Sequence, residues 1–171
     1  MKRLYIVRHG AAQSSYEAGS DFARRLTAEG ASRVRAVSQR LASRPEGTVP
    51  QRIVASAAPR AWETASIHAE TFALPESALS RVEELYRGGP NDYLHILIRS
   101  LPDDISCAMV VGHNPAVSEL LAVLTGSMAG EYCMRKGDAA CVAFDLPDGA
   151  SWEEIYVSDG KLEKYIIASA V

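Results

Sequence analysis

The sequence predicts an α/β fold, with a mainly parallel central sheet covered by helices on both faces and some antiparallel strands towards the C-terminal end. Between Leu4 and Gly126, short apolar runs alternate with segments whose apolar residues recur at helical spacing. From about Ala139 onwards, strand-like runs follow one another with only turn signals between them. The alternation favours a three-layer α/β/α arrangement, whereas strands joined directly by tight turns pair antiparallel.

The first half of the chain is predicted to contain three strands and two helices. Apolar runs predict the strands at Leu4–Val7, Arg52–Ala55 and Leu79–Glu84. Thr27 is a suitable N-cap for a first helix, which we expect to run to about Ser43. Ser56 is a suitable cap for a second helix, with Pro59 in the first turn, where its missing N–H is tolerated.

The second half continues with a predicted helix over Pro90–Leu101 and a strand over Ala108–Val111. Asn114 is expected to cap the next helix, with Pro115 at its first position and Gly126 at its end. Three further short strands are predicted at Cys141–Leu146, Trp152–Val157 and Lys161–Ala168. We expect the last two to lie at an exposed edge of the sheet.

Length and composition indicate one domain with its own hydrophobic core. The chain has 171 residues, of which 47% are hydrophobic, and this excludes a disordered tail or a small disulfide-stapled scaffold. Neither repeats nor linkers interrupt the pattern, so we expect a single domain over residues 1–171. The net charge of −3, without a basic cluster, argues against nucleic-acid binding. This net charge does not exclude an anionic substrate, which a locally basic pocket can bind.

Cysteine usage and hydropathy predict a cytoplasmic protein. Cys107, Cys133 and Cys141 are odd in number and lack C-x-x-C spacing, so we expect reduced thiols rather than disulfides or a metal site. The sequence contains neither a signal-peptide core nor an apolar window of the ~18 residues that a membrane span requires. We therefore expect no membrane association, and the oligomeric state stays open.

Side chains with phosphate or proton chemistry follow four of the predicted strands. In open parallel sheets, ligands bind beyond the carboxyl ends of the strands. This rule predicts a shared site at one rim of the sheet, formed by Arg8, His9, Ser56, Arg60, Glu84 and His113. Residues 11–26 are polar and irregular, and we expect them to form a loop over the site, with individual roles that the sequence does not define.

His9 is the predicted nucleophile of this site. A neutral imidazole is a competent nucleophile towards phosphorus, and a covalent phosphohistidine divides one displacement into two easier steps. Gly10 permits close approach of the backbone and offers an N–H to a phosphate oxygen. Arg8 and Arg60 carry planar guanidinium groups that match the oxygens of a transferring phosphoryl group. Arg60 also falls in the first turn of its predicted helix, where the dipole favours an anion.

His113 and a carboxylate complete the predicted chemistry. We expect His113 to donate to the phosphoryl oxygens and to be protonated when phosphate is bound. An alkoxide-like leaving group needs a proton donor, for which Glu84 and its neighbour Glu83 are candidates, since repulsion from the phosphate would keep such a carboxyl protonated. A phosphoramidate, such as phosphohistidine, depends less on this acid. Further candidate contacts to the phosphate or the substrate are Gly10, Ser56 and Asn114.

Three segments, each spanning the end of a predicted strand, resemble motifs of the histidine phosphatase superfamily, also called the phosphoglycerate mutase-like family. They are Leu4–Gly10 (LYIVRHG), Val54–Ala65 (VASAAPRAWETA) and Val110–Pro115 (VVGHNP). The short chain is similar to the SixA-type branch of small phosphohistidine phosphatases. The resemblance implies an α/β fold, a phosphohistidine intermediate, and neither a metal nor another cofactor. By position it implies a nucleophile at His9, pocket arginines at Arg8 and Arg60, a second pocket histidine at His113 and an acid at Glu84.

Two positions depart from the family pattern. Ala11 follows the RHG triplet, where an acidic residue is common, and Ala57 follows Ser56, where proline is usual. Neither change removes a charged group that phosphoryl transfer needs. The missing acid is expected to alter the pocket wall and, with it, substrate preference.

We therefore expect a metal-independent phosphatase that acts on a phosphohistidine carried by a protein, because so short a chain has little material for a lid. A small-molecule phosphomonoesterase or a phosphoglycerate mutase-like enzyme is the alternative, although mutases of this family usually carry longer inserted segments. A non-catalytic phosphate-binding module is a third hypothesis, against which the joint presence of Arg8, His9, Arg60 and His113 counts. A metal site is disfavoured because two arginines beside the candidate ligands would repel a cation.

Overall fold

The computed structural model describes residues 1–45 and 47–171, and its centre is a six-stranded sheet. The strands are β1 (Lys2–Arg8), β2 (Arg52–Ser56), β3 (Leu79–Val82), β4 (Cys107–Gly112), β5 (Ala139–Phe144) and β6 (Lys161–Ile166). Their order across the sheet is β3-β2-β4-β1-β5-β6. The first four strands are mutually parallel, while β5 runs antiparallel to β1, and β6 antiparallel to β5. The predicted fold class is confirmed, including the antiparallel strands from the C-terminal part.

The described residues form five α-helices. They are α1 (Ser15–Ala18), α2 (Ala28–Ala42), α3 (Pro59–Thr71), α4 (Pro90–Ser100) and α5 (Ala116–Leu124). Thr27 caps α2 by accepting a hydrogen bond from the Gly30 N–H, as its residue type predicts. In the described ranges, none of these helices has both the length and the apolar character needed to cross a membrane.

The side chains of β1 alternate between two hydrophobic cores, one on each face of the sheet. Leu4 and Ile6 belong to the core that includes the apolar sides of α4 and α5. Tyr5 and Val7 belong to the core that includes the apolar sides of α2 and α3. The strand is therefore buried on both faces, and its carboxyl end is held at a fixed depth between two helical layers.

Three predictions at element ends that bear on the site are wrong, and for β3 a local hydrogen bond explains the difference. Strand β3 ends at Val82 rather than Glu84, because the Tyr86 N–H bonds back to the Glu83 carbonyl and a 3₁₀ turn begins. Ser56 does not cap α3, which starts after Ala58. Asn114 does not cap α5, which starts at Ala116 after Pro115. The side chains of Ser56 and Asn114 make other contacts at the site, described below.

The strand predicted over Trp152–Val157 is wrong, since this segment is a 3₁₀ helix over Trp152–Tyr156. Its N-terminus is closed by reciprocal hydrogen bonds, in which the Ser151 hydroxyl accepts from the Glu153 N–H and Glu154 accepts from the Ser151 N–H. Trp152 packs into the core below α4 instead of alternating across the sheet. The polar capping residues thus override the strand preference of the aromatic and β-branched side chains.

Helix α2 approaches the chain that leaves β1 so closely that only glycine fits at two facing positions. A Cβ atom on Gly30 would overlap the carbonyl oxygen of Ala11. A Cβ atom on Gly10 would lie 2.8 Å from Cγ2 of Val34, on the next turn of α2. This contact fixes the direction in which the chain leaves β1 and therefore the orientation of the residue before Gly10, which is His9.

We predict that Gly30→Ala destabilises the protein even though alanine is the better helix former. The intrinsic gain is about 1 kcal/mol, but relief of the overlap requires α2 to move away from β1, so we expect a net loss of about 1–3 kcal/mol. The midpoint of urea unfolding measures this change. Ser32→Ala, on the exposed side of the same helix, is the matched control and should be neutral or slightly stabilising. A Gly30→Ala protein as stable as the control would contradict the packing argument.

Candidate active site

A cleft of about 340 Å³ opens at the carboxyl ends of β1, β2 and β4, which are neighbours in the sheet. This is the rim that the rule for open parallel sheets predicts. The residues that line the cleft are Arg8, His9, Asp21, Arg24, Arg60, Tyr86, Arg87, His113 and Asn114. The structure therefore brings together five of the eight predicted site residues, from distant parts of the chain.

His9 lies at the floor of the cleft, directly after β1, with only 5% of its surface exposed. Its Nδ1 atom is 2.8 Å from the carbonyl oxygen of Gly10. Because a carbonyl oxygen can only accept, Nδ1 carries the hydrogen and Nε2 carries the lone pair. Nε2 accepts a hydrogen bond of 3.3 Å from Nε of Arg60. Burial lowers the pKa of His9 to about 3, so the ring is neutral at neutral pH.

Gly10 links this strand end to the first turns of α3. Its N–H donates to the Thr64 hydroxyl at 3.1 Å, and that hydroxyl donates to the Arg60 carbonyl at 2.7 Å. The Gly10 N–H is therefore engaged within the protein rather than free for a phosphate oxygen. Its position favours a structural role, which is to hold His9 and Arg60 in fixed relation.

His113 lies beside His9, with the ring centroids 5.1 Å apart. Its Nε2 atom is 2.8 Å from Oγ of Ser56, which also accepts from the Ala58 N–H. The Ser56 hydroxyl can donate to Nε2, and in the tautomer that accepts this bond Nδ1 of His113 is an N–H donor. Within the described part of the chain, that buried Nδ1 has no hydrogen-bond partner. Ser56 therefore orients His113 from below the cleft instead of lining it.

The protonation of His113 depends on what the cleft contains. Burial, and next the nearby Arg60 charge, lower the pKa of His113 to about 4, so the ring is neutral in the protein as it stands. A bound phosphate would bring negative charge to the ring and favour the protonated form. The protonated ring carries hydrogen on both nitrogens, so its Nδ1 can donate to an oxyanion.

Arg8 and Arg60 line the cleft together with the two histidines. Nη1 of Arg8 donates to the Met134 carbonyl at 2.9 Å, and the buried Nε of Arg8 lacks a hydrogen-bond partner among the described residues. Arg60 is 4% exposed and lies in the first turn of α3, as predicted. Asn114 shares the Met134 carbonyl, to which its Nδ2 donates at 2.9 Å. Arg60 therefore donates to the lone pair of His9, while the Met134 carbonyl holds Arg8 and Asn114 in place within the same cleft.

Asp21, Arg24, Tyr86 and Arg87 also line the cleft, and sequence reasoning did not assign them to it. Asp21 and Arg24 belong to the irregular segment 11–26, which reaches the site as expected but has no periodicity to mark individual residues. Tyr86 and Arg87 follow β3, so the strand-end rule could have found them had it been extended beyond the strand's last residues. Asp21 forms a 3.1 Å ion pair with Arg60.

Glu84, like Gly10 and Ser56, is a predicted site residue that does not line the cleft. It begins the 3₁₀ helix Glu84–Tyr86, its side chain is exposed, and it is absent from the residues that line the cleft. Glu83 is likewise exposed. Over residues 1–45 and 47–171, no group of three His, Cys, Asp or Glu side chains is placed to hold a metal ion.

Comparison with known proteins identifies the fold. The model of the family described as histidine phosphatase superfamily (branch 1) matches residues 4–94, which is more than half of the chain. No curated protein sequence matches significantly.

Solved structures of small phosphatases share this architecture. A Nakamurella multipartitia protein assigned as the phosphohistidine phosphatase SixA has a TM-score of 0.77 at 22% identity, covering 96% of this chain and 95% of that one. The protein histidine phosphatase SixA complexed with tungstate also gives 0.77 at 22% identity, covering 98% of both chains. A mycobacterial glucosyl-3-phosphoglycerate phosphatase gives 0.66 at 17% identity, covering 95% of this chain and 97% of that one. At such identities the likeness shows the fold alone.

We predict that the free energy of unfolding falls as the pH drops from 7 to 5. Burial lowers the pKa of His9 to about 3 and those of His68 and His113 to about 4, whereas an unfolded histidine titrates near 6.5. Between these values the unfolded chain binds more protons, so acid favours unfolding, by about 1–2 kcal/mol per histidine. Urea unfolding at the two pH values measures the difference.

His68 provides the internal control for this prediction because it lies in the core, away from the cleft. The His68→Leu variant should lose about a third of the pH dependence, since one of the three buried histidines is removed. Equal stability of the wild type at pH 7 and pH 5 would contradict the assignment of neutral, buried rings.

Proposed function

The chain belongs to the histidine phosphatase superfamily, and on this premise we propose that it hydrolyses a phosphohistidine carried by another protein, through a covalent phosphohistidine on His9. The observation that carries the proposal is the state of His9. Its ring is neutral, its lone pair is on Nε2, and that atom faces an arginine-lined cleft. A neutral imidazole so placed is a nucleophile for phosphorus.

The surrounding donors suit a transferring phosphoryl group. Its three equatorial oxygens carry spread negative charge in the transition state. Arg8 and Arg60 supply guanidinium N–H groups, and His113, protonated when phosphate is bound, supplies an N–H on Nδ1, an atom with no partner in the described chain. One neighbour of this fold is complexed with tungstate, a tetrahedral oxyanion, which supports an oxyanion site here. Fixed donors of this kind stabilise charge without reorganisation during the reaction.

Turnover then takes two displacements. Nε2 of His9 forms a bond to phosphorus as the bond to the substrate's leaving atom breaks. The oxygen of a water molecule next replaces Nε2, which releases inorganic phosphate and restores the neutral ring. Both transition states place charge on the same oxygens, so one set of donors serves both steps.

The distribution of acids favours phosphohistidine over a phosphate ester as the substrate. An alkoxide leaving group requires a proton donor, yet Glu84 lies outside the cleft and Asp21, which lines it, is ionised. Hydrogen bonds from Tyr86 and Arg24 hold the pKa of the Asp21 carboxyl well below its usual range. An imidazole released from a phosphoramidate leaves more easily and makes the missing acid tolerable.

A phosphatase for small phosphate esters is the second candidate. It is favoured by the likeness to the mycobacterial glucosyl-3-phosphoglycerate phosphatase, whose TM-score of 0.66 is below the 0.77 of the SixA structures.

We further propose that catalysis is metal-independent, because four arginines line the cleft and would repel a cation. The free thiols of all three cysteines are in keeping with a cytoplasmic protein.

We predict that His9→Ala abolishes turnover, by at least ~10³-fold in kcat, while the protein stays folded. His9 lies at a strand end and faces a polar cleft, so its truncation removes the nucleophile with little loss of core. The assay compares a protein-bound phosphohistidine with an aryl phosphate, both in the presence of a chelator. A phosphoenzyme label that is stable in alkali and labile in acid should form on the wild type and not on the variant.

His95→Ala is the matched control, because it removes an exposed histidine on α4, away from the cleft. It should retain full activity and the phosphoenzyme label. Turnover by folded His9→Ala at the wild-type rate would reject the mechanism. Wild-type inactivity on both substrates would favour a non-catalytic phosphate-binding module, and a higher kcat/KM on the aryl phosphate would favour the ester phosphatase.

Glu84→Gln tests the acid that the family pattern places at this position. Because the Glu84 side chain is exposed outside the cleft, we expect kcat/KM for protein phosphohistidine to stay within about twofold of wild type. A loss of more than about 100-fold is the size that removal of a general acid produces. Such a loss would identify Glu84 as the acid and show that the turn moves to the substrate.

A further inference from the structure

Asp21 is a carboxylate in a cleft built for anions, and the two displacements described above give it no role. Among the described residues that line the cleft, it is the one acidic side chain. It accepts hydrogen bonds from Nη2 of Arg60 at 3.1 Å, Nη1 of Arg24 at 3.0 Å and Oη of Tyr86 at 2.6 Å. Its side chain nevertheless keeps 52% of its surface exposed. Asp21 is thus held in place by its neighbours and still open to a ligand.

The position of Asp21 matches the expected position of the leaving group. His9 is buried at the floor, and in an in-line displacement the leaving group lies on the opposite side of phosphorus. It therefore emerges at the mouth of the cleft, where Asp21 is exposed. The guanidinium of Arg60 connects the two residues, since it donates from Nε to His9 and from Nη2 to Asp21.

The neighbours of Asp21 keep it ionised. Arg24 lies on the same segment, Arg60 on α3 and Tyr86 in the turn after β3, while His113 follows β4 and is neutral in the protein as it stands. Hydrogen bonds, first from Tyr86 and then from Arg24, hold the pKa of Asp21 well below its usual range. Asp21 therefore offers a hydrogen-bond acceptor and a negative charge, and it has no proton to donate.

An ionised carboxylate such as that of Asp21 can bind the ring of phosphohistidine. One ring nitrogen carries the phosphoryl group, and the other can carry a proton, which makes the ring a cation. When the bond between phosphorus and nitrogen breaks in this form, the electron pair stays on the released nitrogen and the ring leaves as neutral imidazole. The new bond joins phosphorus to Nε2 of His9, so the step is balanced without a further proton transfer.

We propose that Asp21 selects phosphohistidine by accepting a hydrogen bond from the protonated nitrogen of its ring, an inference that rests on the phosphatase function proposed above. The carboxylate favours the charged ring, which is the better leaving group. It repels a leaving group that carries its own negative charge. Asp21 thus makes a general acid unnecessary for a phosphoramidate and gives no such help to an ester.

The test compares the Asp21→Asn variant with the wild type on three phosphoryl donors. The substitution keeps the size of the side chain but removes its charge. For a phosphohistidine peptide, kcat/KM should fall about 10–100-fold, the effect of losing a hydrogen bond between charged groups. For 4-carboxyphenyl phosphate it should rise about fivefold, because the repulsion is relieved. Phenyl phosphate, with no carboxylate, should change least. Tyr86→Phe removes one anchor but keeps the charge, so it should change all three substrates by a common factor.

Two results would overturn the proposal. One is a common factor for all three substrates in Asp21→Asn, which would make Asp21 only an anchor for Arg60. The other is an unchanged pH profile of kcat with the phosphohistidine peptide. As the pH rises and the ring loses its proton, kcat should fall. The midpoint should lie about one pH unit lower in Asp21→Asn than in wild type, and an unchanged midpoint would contradict the contact. A His9→Ala variant as active as the wild type would instead reject the phosphatase mechanism. Failure of the proposed function is therefore distinguishable from failure of the Asp21 proposal.

Discussion

The hydrogen bond from Nδ1 of His9 to the Gly10 carbonyl is the interaction on which the rest of the site depends. It fixes the tautomer, and with it the position of the lone pair, before any ligand arrives. The bond exists because the chain leaves β1 in one direction only, since Gly10 and Gly30 allow α2 to press against it. The close packing that Gly10 and Gly30 permit therefore sets the tautomer of the His9 ring.

The electrostatics of the cleft follow from the same burial. Desolvation keeps His9 and His113 neutral beside Arg8 and Arg60, where charged rings would be repelled. The cleft is therefore basic through its arginines, while His9, the proposed nucleophile, keeps an electron pair on Nε2, where it accepts a hydrogen bond from Arg60. Asp21 offsets part of that positive charge at the mouth, where it acts on the leaving group rather than on the phosphoryl oxygens.

Sequence reasoning predicted the sheet and the floor of the site, because both depend on local patterns. Apolar runs marked β1, β2 and β4, and the rule for parallel sheets then placed Arg8, His9, Arg60 and His113 at one rim. It missed Asp21 and Tyr86, whose positions depend on where irregular segments cross the rim. It also placed Ser56 and Glu84 at the cleft, which neither of them lines, since a cap and an orienting hydroxyl look alike in sequence and a 3₁₀ turn begins at Glu84. Tertiary contacts, not propensity, decide such residues.

The most direct test of the account is the tautomer of His9 in the free protein at pH 7. Long-range proton–nitrogen NMR correlations on ¹⁵N-histidine protein, assigned by comparison with His9→Ala, distinguish the three ring states. The account predicts a neutral ring with hydrogen on Nδ1 and a lone pair on Nε2. A charged ring, or a neutral ring with hydrogen on Nε2, would contradict it, because no nucleophile would then face the cleft.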